Sequence, residues 1–244
     1  MATNKYGTRA WMESQYASTS SDPWGLDWRP SQQFRYVKML EALKQSLDGV
    51  PRRLSIIDVG CATGYFTAML VGLQNQSEGG TLIGFDIAQS AVGHAAERYP
   101  YIRFECMEMA ECATKFAGSA DIVTCMEVLY YLPQEQRAQA TQYLKSLLKP
   151  GGILLVSSMV AIPPYFSETE LATKLSIQVS VVTTGVLYLK PLVIFEKLLM
   201  KIGGNLCRRW VKTCYGMVRG MEHALERVSP RIARSLAYVI AYND

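Results

Sequence analysis

Two glycines and three carboxylates are spaced as a nucleoside site would need them. Asp58, Gly60 and Gly64 stand where a β-branched run gives way to a predicted helix. Glycine suits such a turn because a side chain would keep a ligand away from the backbone. Asp86 ends a second predicted strand, 22 positions after Gly64, and Glu108 follows a third. Carboxylates at these places can accept hydrogen bonds from ribose hydroxyls and from an adenine amino group.

The glycine spacing argues against a phosphate-bearing ligand. The pattern is GxxxG, so the GxGxxG fingerprint that cradles a pyrophosphate is missing. S-adenosylmethionine carries adenosine at one end and no phosphates, and we predict it as the cofactor, with S-adenosylhomocysteine as its product. We predict no metal, because the sequence offers no spare carboxylate cluster for a divalent cation.

Alternating strands and helices would position these residues at one sheet edge. The predicted strands cover residues 54–59, 81–86, 102–106, 121–125 and 153–158, and the predicted helices cover residues 65–73, 89–99 and 133–149. Residues 206–214 and 235–242 are the expected last two strands, with a helical insertion at 217–228. This order predicts an α/β, Rossmann-like, doubly wound sheet of seven mostly parallel strands.

The sequence also predicts how the chain is organised around that sheet. Residues 1–50 are expected to form an N-terminal helical lid, since aromatic residues are dense within the first 30 positions. Residues 51–160 would form the cofactor-binding core. Residues 161–244, which include an apolar helix predicted at 192–202, would cover the acceptor side and supply the last strands of the same domain.

The chain resembles the class I S-adenosylmethionine-dependent methyltransferases, and more narrowly the NodS-like small-molecule group around the nodulation N-methyltransferase. The resemblance rests on the glycine turn, on Ser21-Asp22-Pro23-Trp24-Gly25 and on Met126-Glu127-Val128-Leu129-Tyr130-Tyr131-Leu132. It departs at Ala62, where glycine is usual, at Gln32, where a glutamate commonly precedes the basic Arg35, and at Glu108, where aspartate is typical. The resemblance implies a methyltransferase acting on a small molecule.

These considerations give a set of expected site residues. The predicted cofactor-binding residues are Trp24, Asp58, Gly60, Cys61, Gly64, Phe66, Asp86, Ile87, Met107, Glu108 and Glu127. The predicted acceptor-lining residues are Tyr16, Trp28, Tyr130 and Tyr131.

Methyl transfer to an amine and methyl transfer to a hydroxyl make different demands on the site. An amine needs only to be neutral, whereas a hydroxyl needs a base to take its proton. The two candidate catalytic residues are Glu127, just past the fourth strand, and His223, in the insertion before the last strand. Glu127 could bind the cofactor's ammonium, orient an acceptor amine or accept its proton.

The charge pattern leaves the partner open. Residues 161–244 carry 11 basic against 6 acidic side chains, and seven of the basic ones lie between 186 and 221. A solvated helix face, an anionic acceptor, a membrane surface or lipid-linked acceptor, and nucleic acid are all compatible with this basic segment. Nucleic acid is disfavoured because the sequence contains no recognised RNA-binding module.

The sequence thus predicts a cytoplasmic enzyme, since the first residues lack a signal-type apolar core and the six cysteines fit reduced thiols. Its expected activity is N-methylation of a small-molecule acceptor in a biosynthetic pathway. O-methylation of a hydroxylated or anionic metabolite is the alternative within the same class. A catalytically inactive cofactor-binding partner subunit and an RNA or protein methyltransferase are the alternatives outside it.

Overall fold

The computed structural model describes residues 6–17, 22–47, 53–74, 80–160, 165–196, 198, 215–228 and 230–243. Within these ranges no helix is long and apolar enough to cross a membrane.

Seven strands form one central sheet. They are β1 (Ser55–Val59), β2 (Thr81–Asp86), β3 (Arg103–Cys106), β4 (Ala120–Met126), β5 (Leu148–Met159), β6 (Ser180–Leu187) and β7 (Leu236–Tyr242). The strand order is β3-β2-β1-β4-β5-β7-β6, and β7 runs in the direction opposite to the other six strands. The predicted doubly wound, mostly parallel Rossmann-like sheet is therefore confirmed.

The described helices pack around this sheet. They are α1 (Arg9–Tyr16), α2 (Pro30–Ser46), α3 (Tyr65–Leu70), α4 (Gln89–Arg98), α5 (Met109–Lys115), α6 (Gln134–Leu147), α7 (Glu168–Ser176), α8 (residues 190–196), α9 (Tyr215–Val228) and α10 (Pro230–Ala233). Local chemistry explains two of their starts. Pro30 suits the first turn of α2, whose N–H groups lack helical partners anyway. Ser167 and Glu170 form a capping box at the start of α7.

The identity of the sixth strand corrects the sequence expectation. Ser180–Leu187 pairs with β7 and so takes the place expected for residues 206–214. The sequence contains a β-branched run at 177–184. Because a long insertion separates this run from the last strand, it was not recognised as the sixth strand. Residues 206–214 lie outside the described part of the chain, as do Lys197, Lys201, Arg208, Arg209 and Lys212 of the basic segment.

Two apolar clusters form the core, one on each face of the sheet. Ile57 and Val123 belong to one cluster, whereas Ile56 and Ile122, their neighbours in sequence, belong to the other. This division follows from the alternation of side chains along a strand. A sheet buried on both faces exposes only its edges and strand ends, so a ligand site is expected at the strand ends.

A buried ion pair anchors α2 beside the sheet. Glu196 of α8 is 2% exposed and accepts hydrogen bonds from Arg29 Nε at 3.0 Å and from the Ser31 N–H at 2.8 Å. Its carboxylate lies at the N-terminus of α2, where the helix dipole favours negative charge. Glu196 is thus committed to α2 and does not offset the basic segment around it.

Helix α1 is attached to the sheet's helices through polar contacts. Glu13 accepts hydrogen bonds from the Ser90 N–H at the start of α4, with both carboxylate oxygens 3.2 Å from the nitrogen. Arg9 pairs with Glu108 at 3.1 Å. The predicted N-terminal segment therefore lies across the carboxyl ends of the first strands.

Candidate functional site

A cavity of about 870 Å³ lies between the carboxyl ends of the strands and the helices α1 and α2. Its size is in the usual range for small-molecule sites. Most of the residues predicted from sequence line it: Tyr16, Trp24, Asp58, Gly60, Cys61, Phe66, Asp86, Ile87, Met107, Glu108, Glu127, Tyr130 and Tyr131. One cavity thus brings together both the predicted cofactor residues and the predicted acceptor residues.

The glycine turn after β1 forms one wall of the cavity. The N–H groups of Gly60 and Cys61 both donate to the Phe85 carbonyl, at 2.7 and 2.8 Å, which fixes the turn to the end of β2. Gly60 has φ +76°, and a Cβ there would stand 2.2 Å from Val128 Cγ2. Ala62 also has a positive φ, +50°. The turn therefore needs glycine at position 60 and tolerates alanine at position 62 with some strain.

Asp58 is held by two hydroxyls beneath this turn. Thr67 Oγ1 and Thr124 Oγ1 donate to its carboxylate at 2.6 and 2.7 Å. Burial raises the pKa of Asp58 to about 6, although the two hydrogen bonds oppose the rise. Asp58 was expected to bind the cofactor, yet both its oxygens already have protein partners.

Asp86 and Glu108 lie at the ends of β2 and β3 in different environments. Asp86 accepts from the N–H groups of Ala62 and Ala88, each at 2.9 Å, and burial raises its pKa. Glu108 has a side chain that is 63% exposed and contacts Arg9 across the cavity rim. Each carboxylate keeps acceptor capacity toward the cavity, since an oxygen with one hydrogen bond can accept another.

Glu127 stands past β4 in a strained backbone conformation. Its φ is +59°, which is rare for a residue with a side chain and often marks a functional position. Arg35 Nη1 donates to both carboxylate oxygens, at 3.0 and 3.2 Å, and to Gln32 Oε1 at 3.2 Å. The Arg35 side chain is 3% exposed and the Glu127 side chain 15%. The pair thus joins α2 to the strand-end loop inside the cavity.

An aromatic surface, here named the aromatic wall, lines part of the cavity. Its members are Tyr6, Trp11, Trp24, Tyr130, Tyr131 and Tyr165. Neighbouring ring centroids lie 4.5 Å apart for Tyr130–Tyr131 and 6.1 Å apart for Trp11–Trp24. Tyr6, Trp11 and Tyr165 were missed as site residues from the sequence. The density of aromatic residues at the N-terminus was the available signal for Tyr6 and Trp11, whereas nothing in the sequence marked Tyr165.

The buried phenols of Tyr130 and Tyr131 stay protonated near neutral pH. Burial raises the pKa of Tyr131 to about 12 and also raises the pKa of Tyr130 well above its usual value. Both are therefore hydrogen-bonding groups and ring faces rather than bases. No histidine is found among the described residues that line the cavity.

Three sequence-based assignments need correction. His223, expected to reach the site, lies on α9 with a 61% exposed side chain and contacts Glu226 at 3.7 Å. Trp28 is buried in the N-terminal layer and does not line the cavity. Gly64 also lies outside the lining; it has φ +77°, and a Cβ there would stand 2.7 Å from the Phe104 ring. Gly64 therefore shapes the turn and its packing and does not face the cavity.

The residues present fit a nucleoside. Asp86 and Glu108 supply acceptors, the turn at Gly60 supplies backbone, and Phe66, Ile87 and Met107 supply apolar surface in the same cavity. Among the described residues no group of three or more His, Cys, Asp or Glu side chains is arranged to hold a metal ion.

Comparison with known proteins adds to this geometry. Residues 56–152 match the family model for a methyltransferase domain. Over 147 residues the chain is 27% identical to the ubiquinone biosynthesis O-methyltransferase of Bordetella avium (strain 197N), an alignment that covers 57% of this chain and 58% of the relative. The chain thus spans less than two thirds of that relative's length.

Solved structures with the same fold cover nearly the whole chain. N-methyltransferase NodS from Bradyrhizobium japonicum WM9, in complex with S-adenosyl-L-homocysteine, superposes with a TM-score of 0.63 at 19% identity, over 97% of this chain and 98% of that one. Magnesium protoporphyrin IX methyltransferase (ChlM) from Synechocystis PCC 6803, with bound SAM, gives 0.60 at 17% identity, over 97% of each chain. The expected resemblance to class I methyltransferases is confirmed at the level of the fold.

Proposed function

We propose that this chain, whose residues 56–152 form a methyltransferase domain within a class I methyltransferase fold, transfers a methyl group from S-adenosylmethionine to the nitrogen of a small-molecule amine. The cofactor, when bound, supplies a methyl group already activated on a sulfonium sulfur. The protein then has to align the acceptor and exclude water.

The strand-end residues would hold the adenosine part of this cofactor. Asp86 accepts the ribose hydroxyls, and its carboxylate is preorganised for this by the N–H groups of Ala62 and Ala88. Glu108 accepts the adenine amino group. Phe66, Ile87 and Met107 pack against the base, while Tyr16 closes over it from the N-terminal side and is held there by Trp24 of the aromatic wall. Trp24 Nε1 donates to the Tyr16 hydroxyl at 2.9 Å, which keeps the two rings together.

The observation that carries the assignment to nitrogen is that the described residues proposed for the acceptor side offer no free base. The cavity lining contains no histidine, burial raises the pKa of the Tyr131 phenol to about 12, and both oxygens of Glu127 accept from Arg35. A hydroxyl acceptor would need such a base, whereas a neutral amine presents its lone pair without one.

The proposed role of Glu127 is to orient the acceptor. Its carboxylate borders the aromatic wall and is oriented by Arg35, so it can accept an N–H from the incoming amine and set the direction of the lone pair. Gln32 supports the same arginine at 3.2 Å. In this role Glu127 positions the nucleophile and does not remove its proton.

A labelled-transfer assay tests the function. The protein is incubated with methyl-labelled S-adenosylmethionine and with pairs of acceptors that differ only in an amino or a hydroxyl group. We expect label on the amines. Asp86→Asn should raise the dissociation constant for S-adenosylhomocysteine by roughly 10- to 100-fold through loss of charge-assisted hydrogen bonds. Asp121→Asn is the control, since Asp121 pairs with Lys149 and does not line the cavity.

O-methylation is the second candidate, because the Bordetella avium relative is named an O-methyltransferase. Label on the hydroxylated member of each pair, with a rate that rises with pH as the hydroxyl ionises, would replace the proposal by this one. Binding of S-adenosylhomocysteine without transfer to any acceptor would favour a cofactor-binding partner subunit instead.

A further inference from the structure

The acceptor side of the cavity is lined largely by aromatic side chains. Tyr131 connects the aromatic wall: its ring centroid lies 4.5 Å from Tyr130, 5.2 Å from Tyr6, 5.8 Å from Trp11 and 6.4 Å from Trp24. Tyr165 extends the wall, 5.0 Å from Tyr130. The rings are tilted against one another, so together they form a curved surface and not a flat stack.

The wall is held in place from behind by a buried guanidinium. Arg137 is 1% exposed, and its Nε donates to the Leu132 carbonyl at 3.1 Å and its Nη2 to the Tyr130 carbonyl at 3.3 Å. The same guanidinium stacks on Phe166, 4.5 Å from the ring centroid, next to Tyr165. The two chain segments that carry Tyr130, Tyr131 and Tyr165 are therefore fixed relative to each other before any ligand binds.

The charges around the cavity favour a cation. Arg9 and Arg35 pair with carboxylates that also line the cavity, and Arg29 pairs with the buried Glu196. Asp58 and Asp86 also line the cavity, and among the described residues neither forms an ion pair with a cationic side chain. The lining thus combines unpaired acidic groups with electron-rich ring faces, and both attract positive charge.

We infer that the acceptor is an N-alkylated aliphatic amine, whose nitrogen lies against the aromatic wall with the Glu127 carboxylate at its edge. This inference rests on the proposed function and narrows its substrate class. As the nitrogen–methyl bond forms, the methyl–sulfur bond breaks and sulfur keeps its electron pair, so the positive charge moves to nitrogen. An aliphatic amine is mostly protonated near neutral pH, so it gives its proton to bulk water before it reacts as the neutral nucleophile. A tertiary amine then loses no further proton in the transfer step, and a secondary amine releases one more to water. The ring faces stabilise the charge where it arrives.

Calorimetric titration in saturating S-adenosylhomocysteine tests the inference with a simple probe. Choline carries a trimethylammonium group, and its neutral isostere has a tert-butyl group in that place. We expect choline to bind at least about tenfold more tightly than the isostere, as cation–π attraction to several partly desolvated rings predicts.

Variants of Tyr131 separate the ring from the hydroxyl. Tyr131→Phe keeps the ring face and should keep the preference for choline. Tyr131→Leu should reduce the preference to less than about threefold, and Trp24→Leu gives an independent second test. Tyr101→Leu is the matched control, since Tyr101 is 69% exposed and does not line the cavity. Binding of S-adenosylhomocysteine shows that each variant is folded.

The outcomes distinguish this inference from the proposed function. If S-adenosylhomocysteine binds but choline and its isostere bind equally, or if Tyr131→Leu and Trp24→Leu keep the full preference, the aromatic wall does not select a cation and the inference fails alone. If the wild-type protein does not bind S-adenosylhomocysteine, the proposed function fails and the inference fails with it.

Discussion

The cavity consists of two halves that are built in different ways. The strand-end half takes its residues from the ends of adjacent parallel strands: Asp58, Gly60, Asp86, Glu108 and Glu127, in chain order. The cover half takes Tyr6, Trp11 and Trp24 from the N-terminal segment, Tyr130 and Tyr131 from the loop after β4, and Tyr165 from beyond β5. Backbone and carboxylates dominate the first half, and ring faces dominate the second.

This difference separates two tasks of the site. The strand-end half binds fixed polar groups, so it requires carboxylates and N–H groups at set positions, even where their burial is costly. The cover half surrounds a reacting centre, so it requires apolar area that excludes water and tolerates a moving charge. The Arg35–Glu127 pair lies at the boundary between the halves.

The largest effect is expected from a substitution at Gly60 in the strand-end half. Gly60→Ala combines a left-handed φ with a Cβ 2.2 Å from Val128 Cγ2, so we expect a loss of about 2–5 kcal/mol in unfolding free energy and no measurable binding of S-adenosylhomocysteine. Gly93→Ala on α4, where a Cβ meets nothing within 4 Å, is the control. Denaturant titration and calorimetry check both. A stable Gly60→Ala protein with normal affinity would contradict the assigned turn.

The next largest effect is the pH dependence of the unfolding free energy that the buried carboxyl group of Asp58, in the same half, should produce. Burial raises the pKa of Asp58 from 3.8 to about 6, so its contribution to stability is fully present below pH 4 and is lost as pH rises through 6. The unfolding free energy of the wild-type protein should therefore fall by about 2 kcal/mol more than that of Asp58→Asn between pH 4 and pH 7. Parallel curves for the two proteins would show that Asp58 does not titrate in this window.

Deleting residues 1–17 removes part of the cover half. This deletion removes Tyr6, Trp11 and Tyr16 but keeps Arg29, whose loss would leave the buried Glu196 unpaired. We expect turnover to fall by about 100-fold, because water reaches the reacting centre and the acceptor loses its alignment. Affinity for S-adenosylhomocysteine should fall much less. Unchanged turnover in the truncated protein would mean that α1 is not a lid.

Glu127→Gln tests the boundary between the halves. If the carboxylate orients the acceptor, turnover should drop by about tenfold with affinity for S-adenosylhomocysteine nearly unchanged. Glu105→Gln is the control, since Glu105 pairs with Lys115 outside the cavity lining. Weakened cofactor binding, with turnover restored at saturating S-adenosylmethionine, would instead assign Glu127 to the cofactor's ammonium.

The smallest effect is expected from a substitution at Ala62 in the strand-end half. Its φ of +50° suits glycine better than alanine, so Ala62→Gly should be neutral or stabilising by up to about 1 kcal/mol, without loss of cofactor affinity. Ala138→Gly on the exposed face of α6 should have the opposite sign and cost about 1 kcal/mol. Thermal unfolding of both variants checks the pair of signs. Destabilisation by Ala62→Gly would show that the packing of the alanine methyl group stabilises the protein by more than the strained φ costs.

The two halves also differ in how far the sequence predicted them. Asp58, Gly60 and Asp86 were identifiable because each ends a strand, and parallel strands bring such ends to one edge whatever their separation in sequence. The seven-stranded sheet followed from the same alternation. Its sixth strand, β6, was misassigned because the long insertion before β7 obscures strand order.

The cover half was only partly predictable because its contacts depend on tertiary packing. Trp24, Tyr130 and Tyr131 were expected, but Tyr165 meets them only through the packing of Phe166 on Arg137. The Arg35–Glu127 pair joins residues 92 positions apart, and no local sequence pattern predicts such a contact. His223 was selected by residue type alone, and the packing of α9 leaves it on the outer face.

The most direct test of the two-half account is the crystal structure of the protein with S-adenosylhomocysteine and choline. The account predicts ribose hydroxyls on Asp86, adenine beside Glu108, and the trimethylammonium group against Tyr131, with the cofactor sulfur facing it. Choline bound outside the cavity, or the adenosine part lying against the aromatic wall, would contradict the division of the cavity into these two halves.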